Sequence, residues 1–99
     1  MWDVDFDEFG RHPGVVLSAN PLNARLGHVA VIPVTGTSGP DQTHVRLTAN
    51  AGLTKYDECY ADITGLQPVA RERLLTRRGP LTMTELEHLG RQLRVYLGL

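Results

Sequence analysis

The chain has 99 residues, 41% of them hydrophobic and 21% charged, and its formal net charge is −1. This length predicts one small domain over residues 1–99, and the charge balance excludes the strongly basic surface typical of duplex-binding domains. No apolar run reaches the ~20 residues of a membrane span and no signal segment opens the chain, so we expect a cytoplasmic protein without membrane contact. Cys59 is the single cysteine, which excludes an intrachain disulfide and a multi-cysteine metal site and favours a small core residue.

Acidic and basic residues are segregated along the chain. Four acidic residues crowd the N-terminal segment with no basic residue among them: Asp3, Asp5, Asp7 and Glu8. Four arginines cluster later in the sequence: Arg71, Arg73, Arg77 and Arg78. A near-neutral total is therefore compatible with a local positive groove.

Two strands are predicted in the N-terminal part of the sequence. In Trp2–Phe6, large apolar residues alternate with Asp3 and Asp5, and this period of two indicates a half-buried strand with both aspartates on the opposite face. A short loop containing Gly10 follows. Residues 14–18 are apolar on both faces, which predicts a central strand.

The run His28–Thr35 is the most apolar of the sequence and predicts a third strand. Alternation gives it two faces, one with Val29 and Val31 and the other with Ala30, Ile32 and Val34. Pro33 has no amide hydrogen, so one ladder hydrogen bond must be absent there, at a bulge or an edge.

The following region is predicted to contain short strands and turns. Residues 36–40 have loop composition, and residues 43–48 alternate as a strand. Its inward residues are Val45 and Leu47, and its outward residues are His44, Arg46 and Thr48. Residues 50–52 predict a turn, residues 56–63 another strand, and residues 71–78 a turn or short helix followed by a short strand.

A change to helical period marks the end of the sequence. Thr82 and Glu85 match a capping box. The apolar residues that follow recur at helical spacing and are expected to pack on the core: Leu86, Leu89, Leu93 and Tyr96/Leu97. Short strands before a terminal helix indicate a mostly β protein with α structure, a small twisted sheet or barrel with a helix packed on it.

Common motifs for metal or phosphate binding are missing from the sequence. Its four histidines lie in different predicted elements without ligand-spaced neighbours: His12, His28, His44 and His88. Residues 36–39 lack the lysine and the following helix of a phosphate-binding loop. We therefore expect neither a metal nor a cofactor.

Polar residues at predicted strand ends form the remaining candidate site. Arg11 and His12 precede the second strand, and Thr35 ends the third. Further polar residues line or follow the next loop: Thr37, Ser38, Gln42 and His44. Imidazole titrates near neutral pH, which suits a residue of a functional site, but His12 is equally compatible with an ordinary surface residue. Thr35 also fits a turn initiator, so the residues alone indicate only a small β-rich domain with a basic and hydroxyl-bearing site.

Five stretches of the sequence, in this order and spacing, resemble the MazF/PemK family of type II toxins: "HPGVVLSANPLN", "GHVAVIPVT", "THVRL", "GLTKYDECYADITGLQPVARERL" and "LTMTELEHLGRQLRVYLGL". The resemblance implies an SH3-like small β-barrel of the CcdB/MazF/PemK type with a C-terminal helix, acting as a homodimer. It also implies a metal-independent, sequence-selective endoribonuclease that cleaves single-stranded RNA and so inhibits translation and growth. A cognate antitoxin protein is the implied partner.

The resemblance also implies the site residues. The family threonine falls on Thr35, whereas the family arginine position holds His12 and Arg11 stands one residue earlier. In an extended segment a shift of one residue reverses the face, so Arg11 replaces the family arginine only if this segment is a loop. The family's Glu-Gln is replaced by Thr64-Gly65. With His12, Arg11 and Thr35 as catalytic candidates, the expected RNA contacts are Arg46, Thr37, Ser38, Gln42, His44, Arg77 and Arg78.

Two other functions are compatible with the same scaffold. A CcdB-like gyrase poison would act through residues 96–99 of the terminal helix and cleave nothing. A catalytically decayed toxin would still bind its antitoxin.

Overall fold

The computed structural model describes residues 1–7, 10–17, 27–47 and 59–99. Its strands and helix are β1 (Trp2–Phe6), β2 (Gly10–Val16), β3 (His28–Thr35), β4 (His44–Leu47), β5 (Cys59–Asp62), β6 (Gln67–Ala70), β7 (Leu74–Arg77) and α1 (Met83–Leu97). Single 3₁₀ turns at Ile63–Gly65 and Arg71–Arg73 precede β6 and β7. A mostly β fold with a C-terminal helix confirms the predicted class.

The strands form one antiparallel sheet in the order β4-β5-β3-β2-β1-β7. Strand β6 is not part of this linear order and pairs with β3. Every strand pair in it is antiparallel. Across the described part of the chain, no pairing joins β4 to β7. The sheet therefore curls without the hydrogen-bonded closure of a complete barrel.

Strands β1 and β3 have the predicted bounds. The two faces of β3 enter two different cores, Val29 and Val31 on one side and Ile32 and Val34 on the other, as alternation predicts. The predicted strand 43–48 is His44–Leu47, with Val45 and Leu47 buried. The predicted turn at residues 50–52 and the start of the strand at 56–58 lie outside the described residues.

Strand β2 begins earlier than predicted. The expectation of a loop before residue 14 is wrong, because β1 supplies a pairing partner for every residue from Gly10 to Gly14. Arg11 and His12 therefore lie inside an extended strand, His12 opposite Val4. The central position of β2 between β1 and β3 is confirmed.

Pro33 lies where β3 exchanges one partner for another. Strand β6, which the sequence analysis missed, pairs with residues 28–31 of β3, and β5 pairs with residues 34–35. The 3₁₀ turn Ile63–Gly65 joins these two partners. A Cβ added to Gly65 would lie 2.5 Å from Cγ of Pro33, so the turn packs directly on the proline ring. The missing amide hydrogen thus falls at the exchange and costs no ladder bond to either partner.

The larger core lies between the sheet and α1 and includes Ile32, Val45, Ala61 and Leu89, each at most 2% exposed. Cys59 belongs to this core and its Sγ lies 3.6 Å from the Leu47 carbonyl oxygen, which confirms its prediction as a core residue. Burial raises the pKa of its thiol, and the nearby charge of Glu85 raises it further.

Helix α1 packs through only part of its apolar stripe. Leu89 is buried and Leu93 is half-buried against the larger core. The expectation of core packing is wrong for Leu86, Tyr96 and Leu97, which are 46%, 47% and 51% exposed. A set of apolar side chains of α1 therefore remains on the surface.

A capping box starts α1 as predicted. The Thr82 hydroxyl accepts from the Glu85 amide at 3.1 Å, and Glu85 Oε1 accepts from the Thr82 amide at 2.7 Å. Glu85 is 6% exposed, so this carboxylate also lies against the core. At the other end, Gly98 adopts the left-handed conformation, φ 75°, and its amide bonds the Val95 carbonyl.

Replacing Thr82 by alanine should lower the free energy of unfolding by about 1 kcal/mol, because it removes the acceptor for the Glu85 amide. Urea unfolding followed by circular dichroism measures this change. Thr84→Ala is the matched control, since Thr84 is an exposed residue of the first helical turn outside the cap. Equal stability of the two variants would contradict the assignment.

Candidate functional site

An open cavity of about 500 Å³ lies at the end of β3. Three regions contribute to it: the middle of β2, the end of β3 with its following turn, and the segment from the end of β5 to the start of β6. The lining residues are His12, Pro33, Val34, Thr35, Gly36, Thr37, Asp62, Gly65 and Gln67.

Strand register arranges the polar residues of this site in two rows on one face of the sheet. Arg46 pairs with Tyr60, and Tyr60 pairs with Thr35. The β2–β3 pairing ends at Gly14 opposite Pro33, and His12 and Thr35, each two residues further along its own strand, share the face of that pair. We call Arg46, Tyr60, Thr35 and His12 the Thr35 row. The adjacent row consists of His44, Asp62, Pro33 and Gly14, and we call it the Asp62 row.

Arg11 is the catalytic candidate that the structure does not bring to the cavity. It pairs with Asp5 of β1, and neighbouring residues of a strand point to opposite faces. His12 therefore shares the face of Thr35, whereas Arg11 projects from the other face and does not line the cavity. Of the two alternatives left open by the sequence, the extended one is present.

Thr35 both shapes the turn after β3 and faces the cavity. Its Oγ1 accepts a hydrogen bond from the Thr37 amide at 3.2 Å, the geometry of a turn-initiating hydroxyl. The hydroxyl hydrogen remains available to a ligand in the cavity, so the structural and functional interpretations of Thr35 are compatible. Ser38 and Gln42 are exposed in the same loop, and neither of them lines the cavity.

A hydrogen-bonded polar cluster at the Asp62 row was missed by the sequence analysis. Asp62 Oδ1 accepts from the Thr64 amide at 3.1 Å and from the Thr64 hydroxyl at 2.6 Å. Its Oδ2 lies 3.9 Å from Nε2 of His44, whose Nδ1 is 2.8 Å from the Thr43 hydroxyl. The Asp-x-Thr sequence at residues 62–64 is typical of such a turn. The prediction of a single strand over residues 56–63 includes the first two residues of this turn and therefore misses it.

Two arginines of the predicted cluster form ion pairs with aspartates of the N-terminal segment. Arg73 forms ion pairs with Asp5 and Asp7, and Arg78 binds Asp3 through two contacts of 3.0 Å. The acidic N-terminal segment thus faces part of the arginine cluster. Asp3 lies on the face opposite Val4 and Phe6, as alternation predicts, and its pairing with Arg78 holds it at 8% exposure.

Arg77 and Arg46 lie at opposite ends of the site. Trp2 pairs with both Arg77 and Gly14, so Arg77 continues the Asp62 row beyond β1. It is three strands from Pro33, or ~14 Å at the usual strand spacing. Arg46 ends the Thr35 row on β4, two strands from Thr35. Both arginines are exposed on the cavity face.

The described residues form neither a metal-binding cluster nor a membrane-spanning helix. No group of three or more His, Cys, Asp or Glu side chains in the described ranges is placed to hold a metal ion. The one α-helix of those ranges is too short and too polar to cross a bilayer.

The fold and the site define a small antiparallel β protein with a C-terminal helix and a cavity bearing imidazole, hydroxyl and carboxylate groups. The sequence profile of the PemK-like, MazF-like toxins of type II toxin-antitoxin systems matches residues 2–97. The chain therefore belongs to this toxin family. Comparison with curated protein sequences found no match.

Solved structures share this fold over nearly the whole chain. The Mycobacterium tuberculosis toxin MazF-mt6 is 20% identical with a TM-score of 0.88, covering 99% of this chain and 95% of its own. An endoribonuclease from a mycobacterial species, in complex with its cognate antitoxin, is 21% identical with a TM-score of 0.85, covering 99% and 90%. MazF from Deinococcus radiodurans is 21% identical with a TM-score of 0.81, covering 99% and 92%. At these identities the likeness establishes the fold.

Replacing Arg78 by alanine should lower the free energy of unfolding by about 1–3 kcal/mol, because it leaves the largely buried Asp3 carboxylate without its charged partner. Thermal or urea unfolding measures the loss. Arg77→Ala is the matched control, an exposed neighbour for which we expect a change within about 0.5 kcal/mol. A larger loss in the Arg77 variant than in the Arg78 variant would contradict the ion-pair assignment.

Proposed function

We propose that this protein is the toxin of a type II toxin-antitoxin system and cleaves single-stranded RNA without a metal, thereby inhibiting translation and growth. The observation that carries the proposal is the placement of His12 and Thr35 on one face of the sheet, in one open cavity. Membership of the toxin family and a fold shared with a protein named as an endoribonuclease support it.

The proposed chemistry uses the substrate's own 2′-hydroxyl as nucleophile. Its oxygen forms a bond to the adjacent phosphorus while the bond from phosphorus to the 5′-oxygen breaks, which leaves a 2′,3′-cyclic phosphate and a 5′-hydroxyl. His12 accepts the proton of the 2′-hydroxyl, since imidazole transfers protons near neutral pH. The Thr35 hydroxyl donates to a non-bridging oxygen of the pentacoordinate phosphate, and the departing oxygen takes its proton from water.

Phosphate contacts on either side of the cavity would align the RNA. Arg46 lies ~10 Å from Thr35 by strand spacing, and Arg77 lies on the same face beyond β1. These positions suit the phosphates flanking the scissile one. The remaining expected contacts lie around the loop after β3: Thr37, Ser38, Gln42 and His44. Arg78 is held by its ion pair with Asp3, so we do not expect it to be a principal phosphate contact.

The exposed apolar part of α1 and its C-terminal end supports a protein-binding surface. Val95 and Leu99 are 69% and 87% exposed and adjoin Tyr96 and Leu97, whereas Met83, at 70%, lies at the other end of the helix. Contiguous exposed apolar side chains mark interaction sites in globular proteins. We propose that the toxin forms a homodimer, that a cognate antitoxin binds it, and that both act in the cytoplasm.

The same exposed helix end also favours a second candidate function. A CcdB-like gyrase poison would act through Tyr96, Leu97 and Leu99, which the structure leaves open to a partner. Substitutions there would then abolish toxicity, whereas changes at His12 and Thr35 would leave it intact. The placement of His12 and Thr35 in one cavity favours the ribonuclease.

Mapping cleavage of a mixed single-stranded RNA pool in the presence of EDTA tests the proposal. We expect cleavage by the wild type, and losses of about 100-fold or more in His12→Ala and Thr35→Ala, because each removes a group at the reacting phosphate. Arg11→Ala is the matched control and should retain most of the activity, since Arg11 projects from the other face.

Each variant's fold is checked by circular dichroism and thermal unfolding. Intact RNA at high concentration of folded wild type would refute the ribonuclease. A large loss in the Arg11 variant with full activity in the His12 variant would refute the proposed roles while leaving the function in place.

A further inference from the structure

A carboxylate faces the same cavity as the residues proposed to act at the scissile phosphate. Asp62 lines this cavity together with His12 and Thr35. A carboxylate repels the phosphate backbone of RNA, so it is unsuited to bind the chain's phosphates. The part of a bound nucleotide that complements it is a nucleobase edge with hydrogen-bond donors.

The position of this carboxylate is set by its neighbours. Oδ1 accepts from both the amide and the hydroxyl of Thr64, which uses its two lone pairs. Oδ2 lies 3.9 Å from His44 Nε2, beyond hydrogen-bond distance, and the side chain is 29% exposed. Oδ2 is therefore an oriented acceptor that a ligand in the cavity can reach.

Tyr60 provides an aromatic ring on the same strand and the same face as this acceptor, although Tyr60 does not itself line the cavity. It lies two residues before Asp62 on β5, between Arg46 and Thr35 in the Thr35 row. Residues two apart on a strand share a face, so ring and carboxylate project from the same surface. Aromatic rings next to edge-reading acceptors are how proteins commonly recognise unpaired RNA bases.

We propose that Asp62 determines a base preference of the enzyme, accepting a hydrogen bond at Oδ2 from the exocyclic amino group of a nucleobase next to the scissile phosphate. Cytosine, adenine and guanine carry such a group. Uracil has no exocyclic amino group. Its two carbonyl oxygens flank its single ring N–H, so these oxygens would face the negatively charged carboxylate at close range. The inference rests on the proposed ribonuclease function and adds to it the chemical class of base read at this position.

Asp62→Asn tests the inference, since it keeps the side chain's shape and lets the amide nitrogen donate to the uracil carbonyl. The substrates are short RNAs built from the wild type's mapped cleavage site, with each of the four bases placed in turn on either side of the scissile phosphate. At one of these positions the wild type should cleave amino-bearing bases about 10-fold or more faster than uracil, the range expected for a base-reading hydrogen bond. In Asp62→Asn this ratio should fall or reverse.

The control is Asp41→Asn, which removes the same charge from an exposed loop residue that does not line the cavity. Its base ratio should equal that of the wild type. Thr64→Val removes the hydroxyl that holds Oδ1 and should lower the ratio as well, which provides a second test if Asp62→Asn folds poorly. Binding of 2′-O-methyl versions of the same RNAs gives a readout that is independent of cleavage.

The outcomes separate the inference from the function on which it rests. An unchanged base ratio in Asp62→Asn overturns the inference and leaves the ribonuclease intact. An equal loss of rate on all four bases also overturns it, because Asp62 would then act in catalysis rather than in base selection. A folded wild type that cleaves no RNA refutes the proposed function, and the inference fails with it.

Discussion

Antiparallel pairing of β1, β2 and β3 determines which side chains meet in the cavity. Because side chains alternate along a strand, one register places His12 on the face of Thr35 and Arg11 on the opposite face. Gly14 secures this register, since a Cβ there would lie 2.7 Å from Val31 and 3.2 Å from Val4. A slip of one residue would exchange His12 for Arg11 and would also exchange Val15 and Val16 between the two cores, so core packing and site composition depend on the same pairing.

The cavity itself follows from the change of partner along β3. Strand β6 covers the first half of this strand and β5 covers the end, and the turn between them packs on Pro33. Pairing between β2 and β3 stops at Gly14, so the middle of β2 and the end of β3 line the cavity without being joined by strand pairing. Any other residue at position 33 would carry an amide hydrogen with no strand to donate to. Proline has no amide hydrogen and therefore suits the place where β3 changes partner and the cavity opens.

Local patterns in the sequence predicted much of the fold, and contacts between distant residues account for most of what was missed. Alternation predicted β1 and both faces of β3, and the capping box predicted the start of α1. The start of β2 was missed because residues 10–13 do not alternate, and they are extended only through pairing with β1. The burial of Asp3 was not predicted because its partner, Arg78, is 75 residues away. Thr35 and His12 were named from the sequence, whereas Asp62 and its contacts with Thr64 and His44 required the folded sheet.

Nuclear magnetic resonance of the toxin with a 2′-O-methyl version of an RNA that it cleaves shows which side chains meet the reacting phosphate. This RNA lacks the nucleophile and stays bound, so the side chains at the reacting phosphate report the contact. We expect the imidazole signals of His12 and the methyl signal of Thr35 to shift on titration, whereas the guanidinium signal of Arg11 stays unchanged. A shift of Arg11 with His12 unaffected would contradict this expectation.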